Sequence, residues 1–234
     1  MLKFVPISSV ADLTVGFVGT MATHYESTGV PFLRSLNIKP FTINRDDIKF
    51  ISESFNHEIK KSILHSNDVV IVRTGVPGTC CVIPQEYDGC NCSDLVIIRP
   101  YTDKVDPTYL AAYINFWGRK QISNNKVGAV QQHFNVHSAE EMLVPLPSIE
   151  IQRETASLIK ALNSKIETNN SIATELEGIA KDLYDYWFVQ FDFPDGNGKP
   201  YKSCGGKMVW NEELKREIPD GWEVNKLGEL LSIT

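Results

Sequence analysis

Apolar residues are not spread evenly along this chain, and the change in their spacing divides it. Val69-Val70-Ile71-Val72, closing at Thr74-Gly75, and Leu95-Val96-Ile97-Ile98, ending at Pro100, are short β-branched runs bounded by turn residues, so both predict strands. Phe17–Thr20 and Cys81–Ile83 are weaker strand candidates. A helix is predicted after Asp106, an N-cap residue followed by proline at the first helical position. There Tyr109, Leu110, Tyr113, Ile114 and Trp117 recur at helical spacing. Ser138 and Glu141 are spaced as a capping box for a short helix that Pro145 and Pro147 stop.

From Ser148 the period becomes regular. Ile151, Thr155, Leu158, Leu162, Ile166, Asn169, Ile172, Leu176, Ile179, Leu183 and Trp187 step by three or four. No proline interrupts about 40 residues, so one helix here would be ~60 Å long. A single helix cannot bury such a stripe, and a partner helix is expected to cover it. Asn169 falls within the stripe. A buried Asn at a seam fixes register at a cost in stability, whereas Asn169-Asn170 would alternatively mark a break; the unbroken period favours the rod. Beyond it, Pro194-Asp195-Gly196-Asn197-Gly198 and Gly205-Gly206 are turn signals. Val224, Leu227, Leu230, Ile233 and Thr234 match Phe4, Ile7, Val10, Leu13 and Thr14 at a constant offset, which reads as the opening of a second copy of the first domain.

The composition, 42% hydrophobic and 22% charged over 234 residues, excludes a disordered or fibrous chain. No run approaches the ~20 apolar residues that span a bilayer, and Met1–Val10 lacks the regions of a signal peptide. A cytoplasmic protein without a membrane is expected. The net charge of −6 opposes nucleic-acid binding at first sight. It is unevenly held, however. Residues 1–148 carry 13 Lys and Arg against 14 acids, and residues 149–234 carry 10 against 15, so a basic face on the first part stays open.

Little in the chain points to catalysis. It has no phosphate-binding Gly-rich loop, no G-x-S-x-G and no H-E-x-x-H. Cys80-Cys81 and Cys90-x-Cys92 are wrongly spaced for zinc knuckles and read better as small buried hydrophobes, with free thiols expected. No metal site is expected, at His133 and His137 either. A nucleophile at Cys92 beside Asp94 has no base implied nearby. Two polar segments offer more. Arg73-Thr74-Gly75-Val76-Pro77-Gly78-Thr79 joins an arginine to glycines that let backbone approach a phosphate, or is an ordinary hairpin loop. Arg119-Lys120-Gln121 and Lys126-Val127-Gly128, running on to Gln131-Gln132-His133-Phe134-Asn135, combine phosphate-binding cations with side chains that read adenine, or form a solvated loop.

Three stretches resemble the DNA-specificity subunit of type I restriction-modification systems. They are the Asp68–Arg73 strand with Thr74-Gly75, leading to Gly89-Cys90-Asn91-Cys92-Ser93-Asp94-Leu95-Val96; Gly128–Asn135, leading to Val144-Pro145-Leu146-Pro147; and the following helix, with Gln152 in its first turn and Tyr184-Asp185-Tyr186-Trp187-Phe188 at its tail. One departure is Ile151-Gln152, where the family often has Glu-Gln. The resemblance implies an α+β fold, a mixed globular DNA-recognition domain followed by a long coiled-coil-forming helix. It divides the chain into a target-recognition domain (1–147), a spacer and dimerisation helix (148–190), and a loop-rich tail opening a second recognition domain (191–234). It further implies a non-catalytic subunit that reads a half-site of double-stranded DNA and positions methyltransferase and endonuclease subunits. S-adenosylmethionine, ATP and magnesium belong on those partners, and no cofactor is expected on this chain.

The family has two recognition domains and two long helices, so this chain resembles a half-length subunit, natural or cut short. An antiparallel homodimer is therefore expected through Leu158, Leu162, Asn169, Leu176, Ile179 and Leu183, with two-fold symmetry demanding an interrupted palindrome. The DNA-facing residues are expected to be Arg34, Arg73, Thr74, Lys120, Lys126, Gln131 and His133, with Arg73 and Gln131 reading bases and the lysines on phosphates. The alternative function is a non-catalytic adaptor whose long helix is the binding surface.

Overall fold

The computed structural model describes residues 3–118, 134–226 and 228. The chain forms two compact units, Met1–Ser164 and Lys165–Thr234, the boundary lying inside the long helix. The fold is α+β, mixed sheets followed by one long helix, as the resemblance implies.

In the first unit the strands are β1 (Phe4–Pro6), β2 (Ala11–Val15), β3 (Val30–Leu33), β4 (Ile38–Lys39), β5 (Thr42–Ile43), β6 (Lys49–Ile51), β7 (Val69–Val72), β8 (Cys80–Val82), β9 (Asn91–Cys92), β10 (Leu95–Pro100) and β11 (Leu143–Pro145). The helices are α1 (Glu53–Glu58), α2 (Pro107–Tyr113), a single π-turn Ile114–Gly118 and α3 (Val136–Glu140), before the long helix starts at Ile149.

The central sheet has the order β2-β10-β7-β8, all antiparallel. Val69–Val72 and Leu95–Ile98 are buried along their whole length. Their side chains alternate between two cores. Val69, Ile71, Val96 and Ile98 pack with Leu110 and Ile114 on one face, while Val70, Val72, Leu95 and Ile97 pack with Leu33, Ile38 and Leu64 on the other. A strand covered on both faces needs apolar residues at every position, and this is why these two strands read as continuous runs. A smaller sheet, β6-β3-β9, closes the second core, with β3 and β9 parallel. β1 pairs antiparallel with β11, Phe4 opposite Pro145.

Helix α2 begins as expected. Asp106 Oδ1 accepts hydrogen bonds from the Thr108 and Tyr109 N–H groups, with Pro107 at the first position. Two expectations need correction. The cap of α3 is Asn135, not Ser138: Asn135 Oδ1 accepts from Ser138 N at 2.8 Å, so Ser138 is the third residue of the turn being capped. Phe17–Thr20 is no strand, since only Phe17 makes a bridge, to Ser93, before the chain turns away.

The long helix runs from Ile149 to Tyr184 without interruption and ends in a π-turn, Asp185–Val189. Asn169-Asn170 lies inside it and marks no break. In the second unit, β12 (Met208–Asn211) and β13 (Arg216–Pro219) form an antiparallel hairpin. Phe191, Phe193, Tyr201 and Trp222 cluster edge-to-face and stacked, and the Arg216 guanidinium lies over the Phe191 ring at 4.6 Å. Of the suggested repeat, Leu227, Leu230, Ile233 and Thr234 lie outside the described residues.

Candidate nucleic-acid interface

At one end of the central sheet the chain leaves β7 through Arg73-Thr74-Gly75 and enters β10 through Ser93-Asp94. Gly75 and Gly78 have φ of 86° and 89°, which side-chain-bearing residues rarely adopt, so the glycines are what let this turn form. Asp94 is also left-handed, with φ 57°. Its carboxylate draws two neighbours together: Oδ2 accepts from Ser35 Oγ at 2.8 Å and from Thr74 Oγ1. The three segments wall an open cleft of about 740 Å³, whose lining includes Arg34, Lys39, Thr74, Ser93 and Asp94.

Arg34 lines this cleft but is committed on one side. Its Nη2 donates to Asp47 Oδ2 at 2.9 Å and to the Asp47 carbonyl. Lys49 and Arg34 beside Asp47 hold its carboxyl below the usual range. Arg34 Nε is buried without a hydrogen-bond partner among the described residues. Arg73 stands one residue before Thr74, and its Nε donates to the Phe134 carbonyl at 3.2 Å. Phe134 is the first described residue after 119–133, and its carbonyl is held by Arg73 at the margin of the cleft. Lys120, Lys126, Gln131 and His133 lie outside the described residues. The structure thus brings Arg34 and Thr74 onto one surface and ties Arg73 to its margin.

Asn115 gave no signal in the sequence. Buried in the π-turn, it accepts from Cys80 N at 3.1 Å through Oδ1 and donates from Nδ2 to Cys80 O at 2.9 Å. It presents an amide to the edge strand β8 as another strand would. No periodicity marks such a residue, because its partner lies 35 positions away.

Cys80, Cys81, Cys90 and Cys92 are buried, and Cys204 is exposed. The four fit the reading as small core residues. Burial pushes the Cys81 and Cys90 thiols up to about 12 and Cys92 well above its usual value. Cys92 Sγ faces the Ser62 carbonyl while Asp94 faces Ser35 and Thr74, so these two groups are not brought together. At pH 8 the folded protein is expected to react with a maleimide at one thiol, Cys204, and at all five after unfolding. A second fast-reacting thiol in the native state would contradict this. Among the described residues, no cluster of three or more His, Cys, Asp and Glu could hold a metal, and no helix is long and apolar enough to cross a membrane. His137 sits on α3 near Glu140 and Glu141.

The type I restriction modification DNA specificity domain matches residues 2–178. The chain belongs to that family. As a member of the type I specificity family it is similar to the MjaIX specificity subunit of Methanocaldococcus jannaschii, 35% identical over 94 residues, which is 40% of this chain and 20% of that subunit. It is also similar to the HindI specificity subunit of Haemophilus influenzae, 34% identical over 73 residues, 31% of this chain and 16% of the other. Among solved structures, the S subunit of a type I system from M. genitalium shares the fold with a TM-score of 0.55 at 14% identity. That match covers 78% of this chain and 44% of the other. The HsdS subunit from Thermoanaerobacter tengcongensis gives 0.51 at 18% identity, over 77% and 42%. The chain spans less than half the length of these relatives. The cleft is where the glycine turn, Arg34 and Lys39 of the first unit meet.

Proposed function

We propose that this chain reads one half-site of double-stranded DNA through the Arg34–Thr74–Asp94 cleft and through residues of segment 119–133, and holds a type I methyltransferase and endonuclease at that site. The chain itself is read as non-catalytic. The observation that carries this reading is the convergence of the Arg73–Gly75 turn, Ser35 and Asp94 on one open, cation-bearing cleft within the family's specificity domain. Lys120 and Lys126 act on phosphates in this reading, and Gln131 and His133 on base edges. Arg73 has its Nε engaged with the Phe134 carbonyl, so it contributes its terminal nitrogens. The target-recognition unit is assigned to residues 1–147, the spacer and dimerisation helix to 148–190, and the tail to 191–234. In this reading the chain works in the cytoplasm, and S-adenosylmethionine, ATP and magnesium are held by the partner subunits.

The test is filter binding to a selected duplex and to random duplex over a salt series. Specific binding should fall steeply with salt, because each neutralised phosphate releases counterions. Arg73→Ala is expected to cost about 1–3 kcal/mol on the selected duplex and to relax preference at one position. Unchanged affinity and preference in Arg73→Ala would remove that residue from the interface. Absence of any salt-dependent DNA affinity in the wild type, with a methyltransferase still captured, would favour the adaptor reading instead.

Two copies joined through the long helix complete the proposal. Leu158, Leu162, Ile172, Leu176 and Ile179 are 48–63% exposed in the single chain. An apolar stripe of this length is covered in a stable assembly.

A further inference from the structure

We propose that Gln152 is the positioning residue that fixes the angle at which the long helix leaves the recognition domain, and thereby the spacing at which half-sites are read. The spacing part rests on the DNA-reading proposal above; the joint itself does not.

Gln152 is wholly buried, although glutamine is rarely so. Every polar group of its side chain is spent on backbone. Oε1 accepts from Asp106 N at 3.0 Å, and Nε2 donates to Lys104 O at 3.1 Å and to Pro147 O at 3.0 Å. These three sites belong to two separate pieces of chain. Lys104 and Asp106 lie where β10 gives way to α2, and Pro147 lies where β11 gives way to the long helix. Asp106 is shared between two helix starts, capping α2 with its side chain and meeting Gln152 with its N–H. One turn further on, Ala156 is 2% exposed, small enough for the helix to lie close against the domain.

Beyond this the seating is slight. Thr155, Ile159 and Asn163 are half-buried, and every described side chain from Ser164 to Tyr184 is exposed. The bearing therefore spans about 16 Å of a helix about 54 Å long at 1.5 Å per residue. Apolar contacts in the bearing resist separation but are non-directional. Three hydrogen bonds aimed at three fixed backbone sites are what define a direction. Rocking by roughly 10° at the joint would carry the far end of such a helix about 9 Å, close to three base-pair steps of duplex at about 3.4 Å each. A recognition unit whose joint rocks that far would tolerate half-sites at several spacings.

The experiment uses the full chain in a Cys204→Ser background, with spin labels at Glu58→Cys in α1 and Lys160→Cys on the helix. Labelled chain is diluted with unlabelled chain, so that only distances within one copy are read by double electron–electron resonance. Gln152→Met keeps the length and removes all three bonds. Gln152→Glu keeps the acceptor for Asp106 N and loses both donors. The wild type is expected to give a narrow distance distribution. Both variants should at least double its width and keep half-site affinity within about twofold. Bipartite duplexes one base pair longer or shorter than the optimum, bound at least tenfold less tightly by the wild type, should be bound within about threefold of it by the variants. Should Gln152→Met fail to fold, Gln152→Glu carries the same test. Distributions as narrow in the variants as in the wild type would overturn the joint. Broadening in the variants of a protein that shows no DNA preference would uphold the joint and overturn the DNA reading.

Discussion

Leu162→Glu is expected to turn a dimer of the 26.3 kDa chain into a monomer. It should also weaken binding to an interrupted palindrome by roughly 10²–10⁴-fold, the span that linking two sites commonly adds. Affinity for an isolated half-site should stay as it was. The size of the effect follows from symmetry: in a two-fold pairing one substitution enters the seam twice, each time as a charge among aliphatic side chains.

The stripe is complementary to itself in one antiparallel register. With Thr155, Leu162, Asn169, Leu176 and Leu183 on one row and Ile151, Leu158, Lys165, Ile172 and Ile179 on the next, the strict heptad taking Lys165 where the looser three-and-four spacing takes its neighbour Ile166, each row packs against the other row of the partner. Placing Leu158 opposite the partner's Leu176 also sets Ile151 against Leu183, Thr155 against Ile179 and Leu162 against Ile172. The two polar seam residues, Lys165 and Asn169, then face one another. Sliding by a heptad in either direction puts both polar residues against aliphatic ones. This register also brings the partner's Ile179 to Thr155, beside an apolar cavity of about 550 Å³ lined by Tyr109, Tyr113, Trp117 and Ile159.

In a Cys204→Ser background, Leu158→Cys with Leu176→Cys should therefore cross-link between chains on mild oxidation, and Leu158→Cys with Leu183→Cys should not. Light scattering supplies the decisive control. A wild-type chain that stays monomeric at tens of micromolar would end the dimer, whatever the cysteines do.

The second large effect is expected at Asn115. Asn115→Leu removes the acceptor that Cys80 N–H uses and one of the donors to Cys80 O, inside the core and at the open edge of the central sheet. Breaking such a buried pair costs about 2–4 kcal/mol when the desolvated partner is counted. For a unit of this size that lowers the melting temperature by roughly 5–12 °C. Differential scanning calorimetry measures it directly, and a shift under about 2 °C would show that the amide does not close the edge. DNA binding below the melting temperature should also weaken, since the π-turn that Asn115 secures leads into segment 119–133.

These residues show which parts of the molecule were legible in the chain alone. Asp106-Pro107 announced α2 because a cap acts over three residues, and the long helix was readable because its period holds over ten turns. β7 and β10 were found because burial on both faces leaves no polar position to dilute the signal. The cap of α3 was misplaced because Ser138 and Asn135 are both good cap residues three positions apart, and only the backbone decides between them. Asn115, and the bonding of Gln152 beyond its place in the resemblance, were opaque for a different reason. Each is a polar residue in an apolar setting whose partners are distant in sequence, and local spacing carries no trace of such a pairing. The cleft was half legible. Arg34, Arg73 and Thr74 stood out by residue type, but Asp94, which draws Ser35 and Thr74 together, was noticed only as the neighbour of Cys92.

The pairing of β1 with β11 carries one more implication. Phe4 lies opposite Pro145, so the chain enters and leaves the globular module side by side through a two-stranded seam. In the DNA-reading proposal the stretch between those strands is the cassette, and a graft from a relative would meet its host at two places, this seam and the Lys104 and Asp106 backbone that Gln152 of the rod engages. In that reading, recombination at two short tracts hands a new target to the same rod.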